Sequence, residues 1–136
     1  MLLKDRIKII PRRLINDDRG WFLKVIDGKE ENLPMHTGEI YITNAKEFQA
    51  KGGHYHPKAS EWFTLLSGHC DLILIDIKTQ ERMMINLSFE QAKTIFVPNE
   101  IAHIFVNTGK EDFMLLAYTD LLYDPEDTIP YDFSFI

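Results

Sequence analysis

Two histidines one residue apart, His54 and His56, stand between the glycines of "KGGHYHP" and a glutamate, Glu61. On a β-strand, residues i and i+2 project from the same face, so this pair can converge on one point, either as two metal ligands or as proton carriers. Four residues separate His56 from Glu61 and six more separate Glu61 from Gly68, giving H-x-H-x4-E-x6-G. A second segment, "PNEIAHIFVN", reads P-x4-H-x3-N and supplies His103 at the start of another apolar run. Imidazole and carboxylate donors of this kind suit Zn, Fe, Mn or Ni, and their number does not select among these metals. The other chemistry open to them is acid–base work, because histidine titrates near neutral pH. Histidines that hold a metal are not free as bases, and Tyr41 and Tyr55 then become the alternative proton carriers. An unpaired carboxylate in a protein interior is expensive, so Glu61 calls for a metal or histidine partner.

The elements that must carry these residues read as strands. "GEIYITNA" (38–45), "EWFTLLS" (61–67), "CDLILIDI" (70–77), "RMMINLS" (82–88), "TIFVP" (94–98), "HIFVN" (103–107) and "DFMLLAYT" (112–119) are short and rich in β-branched and aromatic residues. In "CDLILIDI", Leu72, Leu74 and Asp76 share one face while Ile73, Ile75 and Ile77 share the other. Turn signals recur at 67–69, 78–81, 98–100 and 107–112, the spacing of all-β sandwiches and barrels. Only 88–94 suits a helical turn. With 136 residues and no linker or composition shift, residues 1–136 are expected to form one domain.

Composition narrows the partners. A formal net charge of −6 opposes broad binding to nucleic acid, so an anionic ligand must be met by local cations such as Arg12, Arg13, Arg19, Lys24, Lys51 or Lys58. No apolar run approaches the roughly 20 residues of a membrane span, and charges interrupt the first ten residues, so a soluble, cytoplasmic protein is expected. The lone cysteine, Cys70, agrees with a reducing compartment and reads as a small buried apolar residue. His36 and His69 match no motif and read as surface or turn residues. Trp21 and Trp62 suit either stacking on a ring or core packing.

The two motifs, at 54–68 and 98–107, resemble the signatures of the cupin superfamily. That resemblance implies an all-β fold, a single cupin jelly-roll barrel, with His54, His56, Glu61 and His103 facing inward and holding a divalent metal. Glu100 stands where the second motif usually has glycine. The flanks "INDDRGWFLKV" and "LAYTDLLYDPEDTIPYDF" resemble those of bacterial nucleotide-sugar cupins, the dTDP-4-dehydrorhamnose 3,5-epimerases and the dTDP-4-keto-6-deoxyhexose 3,4-ketoisomerases. The resemblance implies an epimerase or ketoisomerase acting on a dTDP- or UDP-linked 4-keto-6-deoxy sugar in surface-polysaccharide or deoxysugar biosynthesis, with no organic cofactor. It makes His54 the first choice of base and Arg19 and Lys51 substrate contacts; His56 and Tyr41 are further acid–base candidates and Tyr55 a further substrate contact. The tyrosine acid of the 3,5-epimerases falls near Ala117 or Tyr118. A homodimer that exchanges strands of the segment 1–26 is also implied. A metal-dependent cupin oxygenase and a non-catalytic sugar-binding or sensory cupin remain the alternatives.

Overall fold

The alternation read along the chain becomes two facing sheets in the computed structural model, which describes residues 1–36 and 38–134. One helical turn, Leu3–Arg6, precedes β1 (Lys8–Pro11), β2 (Leu14–Asp17), β3 (Gly20–Leu23), β4 (Glu39–Ala45), β5 (Ala50–Tyr55) and β6 (Glu61–Ser67). Then follow β7 (His69–Asp76), β8 (Arg82–Ser88), β9 (Lys93–Val97), β10 (Ile101–Asn107), β11 (Phe113–Thr119) and β12 (Ile129–Pro130). The first sheet has the order β1-β9-β6-β11-β4 and the second β12-β5-β10-β7-β8, while β2 and β3 form a hairpin of their own. The pairings are antiparallel, and the two sheets pack face to face as a jelly roll.

Inward-facing side chains fill one half of the barrel with hydrocarbon. Phe63 and Leu65 of β6 meet Leu72 and Leu74 of β7, Phe105 of β10, and Phe113 and Leu115 of β11. Leu3 and Ile7, on and just after the helical turn, join this core, and Arg6 pairs with Asp76 beside it. Cys70 is fully buried in the same cluster, and burial pushes its thiol up to about 12, so it stays protonated and packs as a small apolar residue.

On the outer face of the first sheet, Trp62 stacks against Phe96 and Tyr118 beneath Ile26 and Leu33. Arg12 ties that covering segment down through Val25 O, Thr94 Oγ1 and Glu30. Of the two readings for Trp62, core packing is therefore the observed one, whereas Trp21 is half exposed and edges onto Phe89.

The expected strand 103–107 starts earlier, at Ile101, because Ile101 and Ala102 pair with Asp76 and Ile75. His103 is consequently an interior residue of its strand rather than its first. The turn at 98–100 is tight enough to place Glu100 at φ 68°, a left-handed conformation that glycine adopts without cost.

Candidate functional site

The site begins with a break in register. Strand β5 pairs His54 with His103 but Gly52 with Ile104, so Gly53 is the extra residue of a β-bulge. Gly52 and Gly53 have φ of 96° and 82°, and a Cβ on Gly52 would lie 2.8 Å from the carbonyl oxygen of His103. Only glycine fits this approach. Directly paired residues share a face, so Lys51, opposite Phe105, and His54, opposite His103, both turn toward the barrel interior. In a regular strand their three-residue spacing would put them on opposite faces.

Three imidazoles meet there. The ring centroids of His54 lie 4.9 Å from those of both His56 and His103, and His56 and His103 are 5.5 Å apart. Glu61, at the head of β6, reaches across from the other sheet and is almost fully buried. Its Oε1 stands 2.9 Å from His56 Nε2 and 3.5 Å from His103 Nε2, and its Oε2 accepts a hydrogen bond of 3.0 Å from the Tyr41 hydroxyl.

Carbonyl oxygens only accept, so the contacts of His56 Nδ1 to Asp127 O and of His103 Nδ1 to Ile101 O fix an N–H on each Nδ1. Both Nε2 atoms are thereby directed at Glu61. Among the described residues no hydrogen bond pins either ring nitrogen of His54.

Charges in this group follow from burial and proximity. Burial, then the neighbouring His103 and His56, depress the His54 imidazole to about 4, leaving it neutral at physiological pH. Burial likewise lowers His103. Burial opposes the charged form of His56 as well, but Glu61 outweighs it and raises the ring above its ordinary value. For Glu61, burial acts upward, while His56, His103 and Tyr41 together hold the carboxyl below the usual range. The Tyr41 phenol is driven up by burial and by Glu61, so it stays protonated.

These residues fit a divalent cation. His56 Nε2 and Glu61 Oε1 are buried, and their close contact lacks hydrogen-bond alignment, leaving both without a partner. Donor nitrogens of His54, His56 and His103 lie within 4.8 Å of one another, somewhat wider than the roughly 3–3.5 Å that metal–nitrogen bonds of about 2.1 Å would give. Backbone carbonyls behind His56 and His103 supply the outer hydrogen bonds that orient metal-binding imidazoles.

The other expected site residues divide. Lys51 lines the interior cavity beside His54 and His103. Tyr55 alternates to the opposite face of β5 and meets Tyr131 at 6.4 Å, away from the histidines. Arg19 is an exposed residue of the β2–β3 hairpin, paired with Asp17 at 2.8 Å, and does not line the histidine cavities of this chain. Tyr118 faces outward toward Trp62, whereas Ala117 faces inward. Tyr41 lies directly opposite Ala117 across β4 and β11, so the phenol at the site comes from the neighbouring strand.

Asp127 escaped the sequence reading. Its carboxylate accepts the amides of Lys58 and Ala59, and its carbonyl orients His56. The available signal was "DPED", where Asp124 caps a short 3-10 turn that Pro125 starts.

A jelly roll with three imidazoles and one carboxylate turned inward belongs to the cupin class. A family model for the polysaccharide biosynthesis C-terminal domain matches residues 15–131, and the chain belongs to that family. It is 23% identical to the spore coat polysaccharide biosynthesis protein SpsL of Bacillus subtilis, over 94% of this chain and 90% of that protein. Over 65% of the chain it is 35% identical to a glucose-6-phosphate isomerase of Thermococcus gammatolerans, of which it spans 47%.

Solved structures agree on the fold. The dTDP-4-dehydrorhamnose 3,5-epimerase of Sulfolobus tokodaii superposes with a TM-score of 0.85 at 20% identity, covering 100% of this chain and 82% of that one. A 3,4-ketoisomerase of Thermoanaerobacterium thermosaccharolyticum, solved with TDP-4-keto-6-deoxyglucose, gives 0.75 at 20% identity, covering 99% and 92%.

Proposed function

We propose that the protein is an isomerase of a nucleotide-linked 4-keto-6-deoxy sugar, an epimerase or ketoisomerase serving polysaccharide or deoxysugar biosynthesis. The observation that carries this reading is a neutral, unpinned imidazole, His54, facing the same interior as a phenol, Tyr41, that is held protonated on Glu61. Relatives named for nucleotide-sugar isomerisation and for polysaccharide biosynthesis support it.

The ketone acidifies the C–H bonds of its neighbouring carbons. His54 takes one such proton, the C–H electron pair becomes the C=C bond of an enolate as the carbonyl π pair moves to oxygen, and the Tyr41 hydroxyl turns from Glu61 to donate a hydrogen bond to that oxyanion. Protonation of the same carbon by solvent on the opposite face, with His54 passing its proton to solvent as the ketone re-forms, yields an epimer. Delivery along the enediol to the other carbon moves the ketone.

His54 cannot ligate a metal and abstract a proton in the same state, so in this reading a divalent ion rests on His56, His103 and Glu61. Such an ion would polarise the ketone as a Lewis acid. A second reading, aldose–ketose isomerisation of a sugar phosphate, is favoured by the stretch shared with the glucose-6-phosphate isomerase and uses the same proton transfer. The reading also includes a homodimer.

Incubation with dTDP- or UDP-linked 4-keto-6-deoxyglucose in deuterium oxide tests the reaction. Deuterium washed in beside the ketone is the expected result. No incorporation from either sugar rejects the reading, and turnover of glucose 6-phosphate in its place selects the second. Elemental analysis tests the ion: about one first-row divalent metal per chain is expected. His56→Ala or Glu61→Ala should abolish its retention, and trace metal unchanged by both variants would remove the ion from the site.

A further inference from the structure

Tyr41 and His54 line two cavities of about 340 Å³ each, one on either side of them, and the two differ in charge. In the cavity that runs between β4 and β5, Lys51 is the one lysine, arginine or carboxylate among the described lining residues. The other cavity lies under the segment between β11 and β12. Besides the central residues, the carboxylates of Glu39, Asp124 and Asp127 and the side chains of Leu121, Leu122 and Tyr123 line it, with no lysine or arginine among the described lining residues.

These rim carboxylates are fixed by the backbone. Glu39 Oε1 accepts the Tyr123 amide at 2.8 Å, Asp124 accepts the Glu126 amide at 2.9 Å, and Asp127 accepts the amides of Lys58 and Ala59 at 2.8 and 3.0 Å. They cannot swing aside for an incoming anion without abandoning amides that need acceptors.

We infer that the substrate threads past Tyr41 and His54 in one direction only, with its diphosphate on the Lys51 side and its C6 end in the carboxylate-rimmed chamber. That chamber is a charge filter. It takes a methyl or hydroxymethyl group against Leu121, Leu122 and Tyr123 and rejects a carboxylate, so nucleotide-linked uronates are excluded as ligands. The inference rests on the nucleotide-sugar reading above and adds to it the orientation of the sugar and the residues that select its distal end.

Calorimetric titration of the protein as isolated tests it with unreactive probes: dTDP-glucose and UDP-glucose, then the glucuronate of whichever nucleotide binds. Wild type should bind the glucose form at least about tenfold more tightly than the glucuronate, a difference of the size expected for unit charges at partly screened separations. Glu39→Gln keeps an acceptor for the Tyr123 amide and removes a charge. Leu122→Lys adds a cation at a position that is 72% exposed. Both should tighten glucuronate binding several-fold; Glu39→Gln should leave the glucose form unchanged, and Leu122→Lys, which gives up an apolar contact with the sugar, should not tighten it. Equal affinity for the two sugars in wild type, unmoved by either variant, overturns the filter while leaving the nucleotide-sugar reading intact. Binding of neither glucose form removes that reading and the inference with it.

Discussion

The 3.0 Å hydrogen bond from Tyr41 to Glu61 helps to keep the phenol protonated. A phenol beside a buried carboxylate does not ionise at neutral pH, and in the proposed reaction this one would keep its proton to hydrogen-bond a developing oxyanion. Tyr41→Phe removes the proton and little volume. It should lower kcat by about a hundredfold or more while KM changes by less than about threefold, the pattern of an interaction made in the transition state. Metal content is the control, since the phenol is absent from the ligand set. Stopped-flow or coupled assays with the keto sugar read the split, and an unchanged kcat would transfer the acid role elsewhere.

The bulge in β5 acts at the level of the element. It sets which side chains enter the barrel, so lesions there should disturb the site before they disturb the fold. Gly52→Ala drives a methyl into a backbone carbonyl and should cost at least about 2 kcal/mol in denaturant unfolding. Gly53 meets only a side-chain carbon at 3.9 Å, so its constraint is conformational. Asparagine tolerates positive φ, and Gly53→Asn should therefore retain more stability than Gly53→Val.

This feature also marks the limit of what the sequence revealed. The convergence of His54, His56, Glu61 and His103 was legible because a fixed motif spacing carries them. The apolar runs likewise located β4, β6 and β8 almost to the residue. The resemblance placed Lys51 at the substrate, but its turn to the same side as His54 was hidden from the local pattern, since it depends on a register shift against β10. Asp127 was hidden for a related reason: its partners, Lys58 and Ala59, lie 69 and 68 residues away.

For the whole molecule, surfaces left uncovered by one chain point to a second. Ile40 and Ile42 on the outer face of β4 are 62% and 59% exposed, and β4 is one of the two edge strands of its sheet. The β2–β3 hairpin, joined to neither sheet, exposes Ile15, Trp21 and Phe22, and an isolated hairpin is marginal in water. Light scattering at micromolar concentration should give a dimer mass, and Ile40→Ser with Ile42→Ser should shift it toward the monomer. A monomeric wild type would contradict the dimer.

Acid should loosen the outer cover as well. Glu30 sits against Arg12, and although burial alone would raise its carboxyl, the Asp27 amide and Arg12 hold it at about 2. An unfolded glutamate titrates near 4.3, so this contribution is complete above that pH and fades as pH falls toward about 2. Unfolding curves between about pH 5 and 2 should be flatter for Glu30→Gln than for wild type.

The pairing of Tyr41 with Ala117 has a consequence for how reaction outcome is encoded. Both positions face the barrel interior on adjacent strands, about 5 Å apart at Cα, Tyr41 at the cavities and Ala117 in the apolar core beside it. A phenol at one or the other would approach the same bound sugar from two different bearings, with His54 and the nucleotide end left in place. Which ring atom receives a proton, and on which side, then depends on which strand carries the tyrosine. Under the proposed function, the outcome of the reaction would then turn on two neighbouring side chains rather than on the scaffold that holds them.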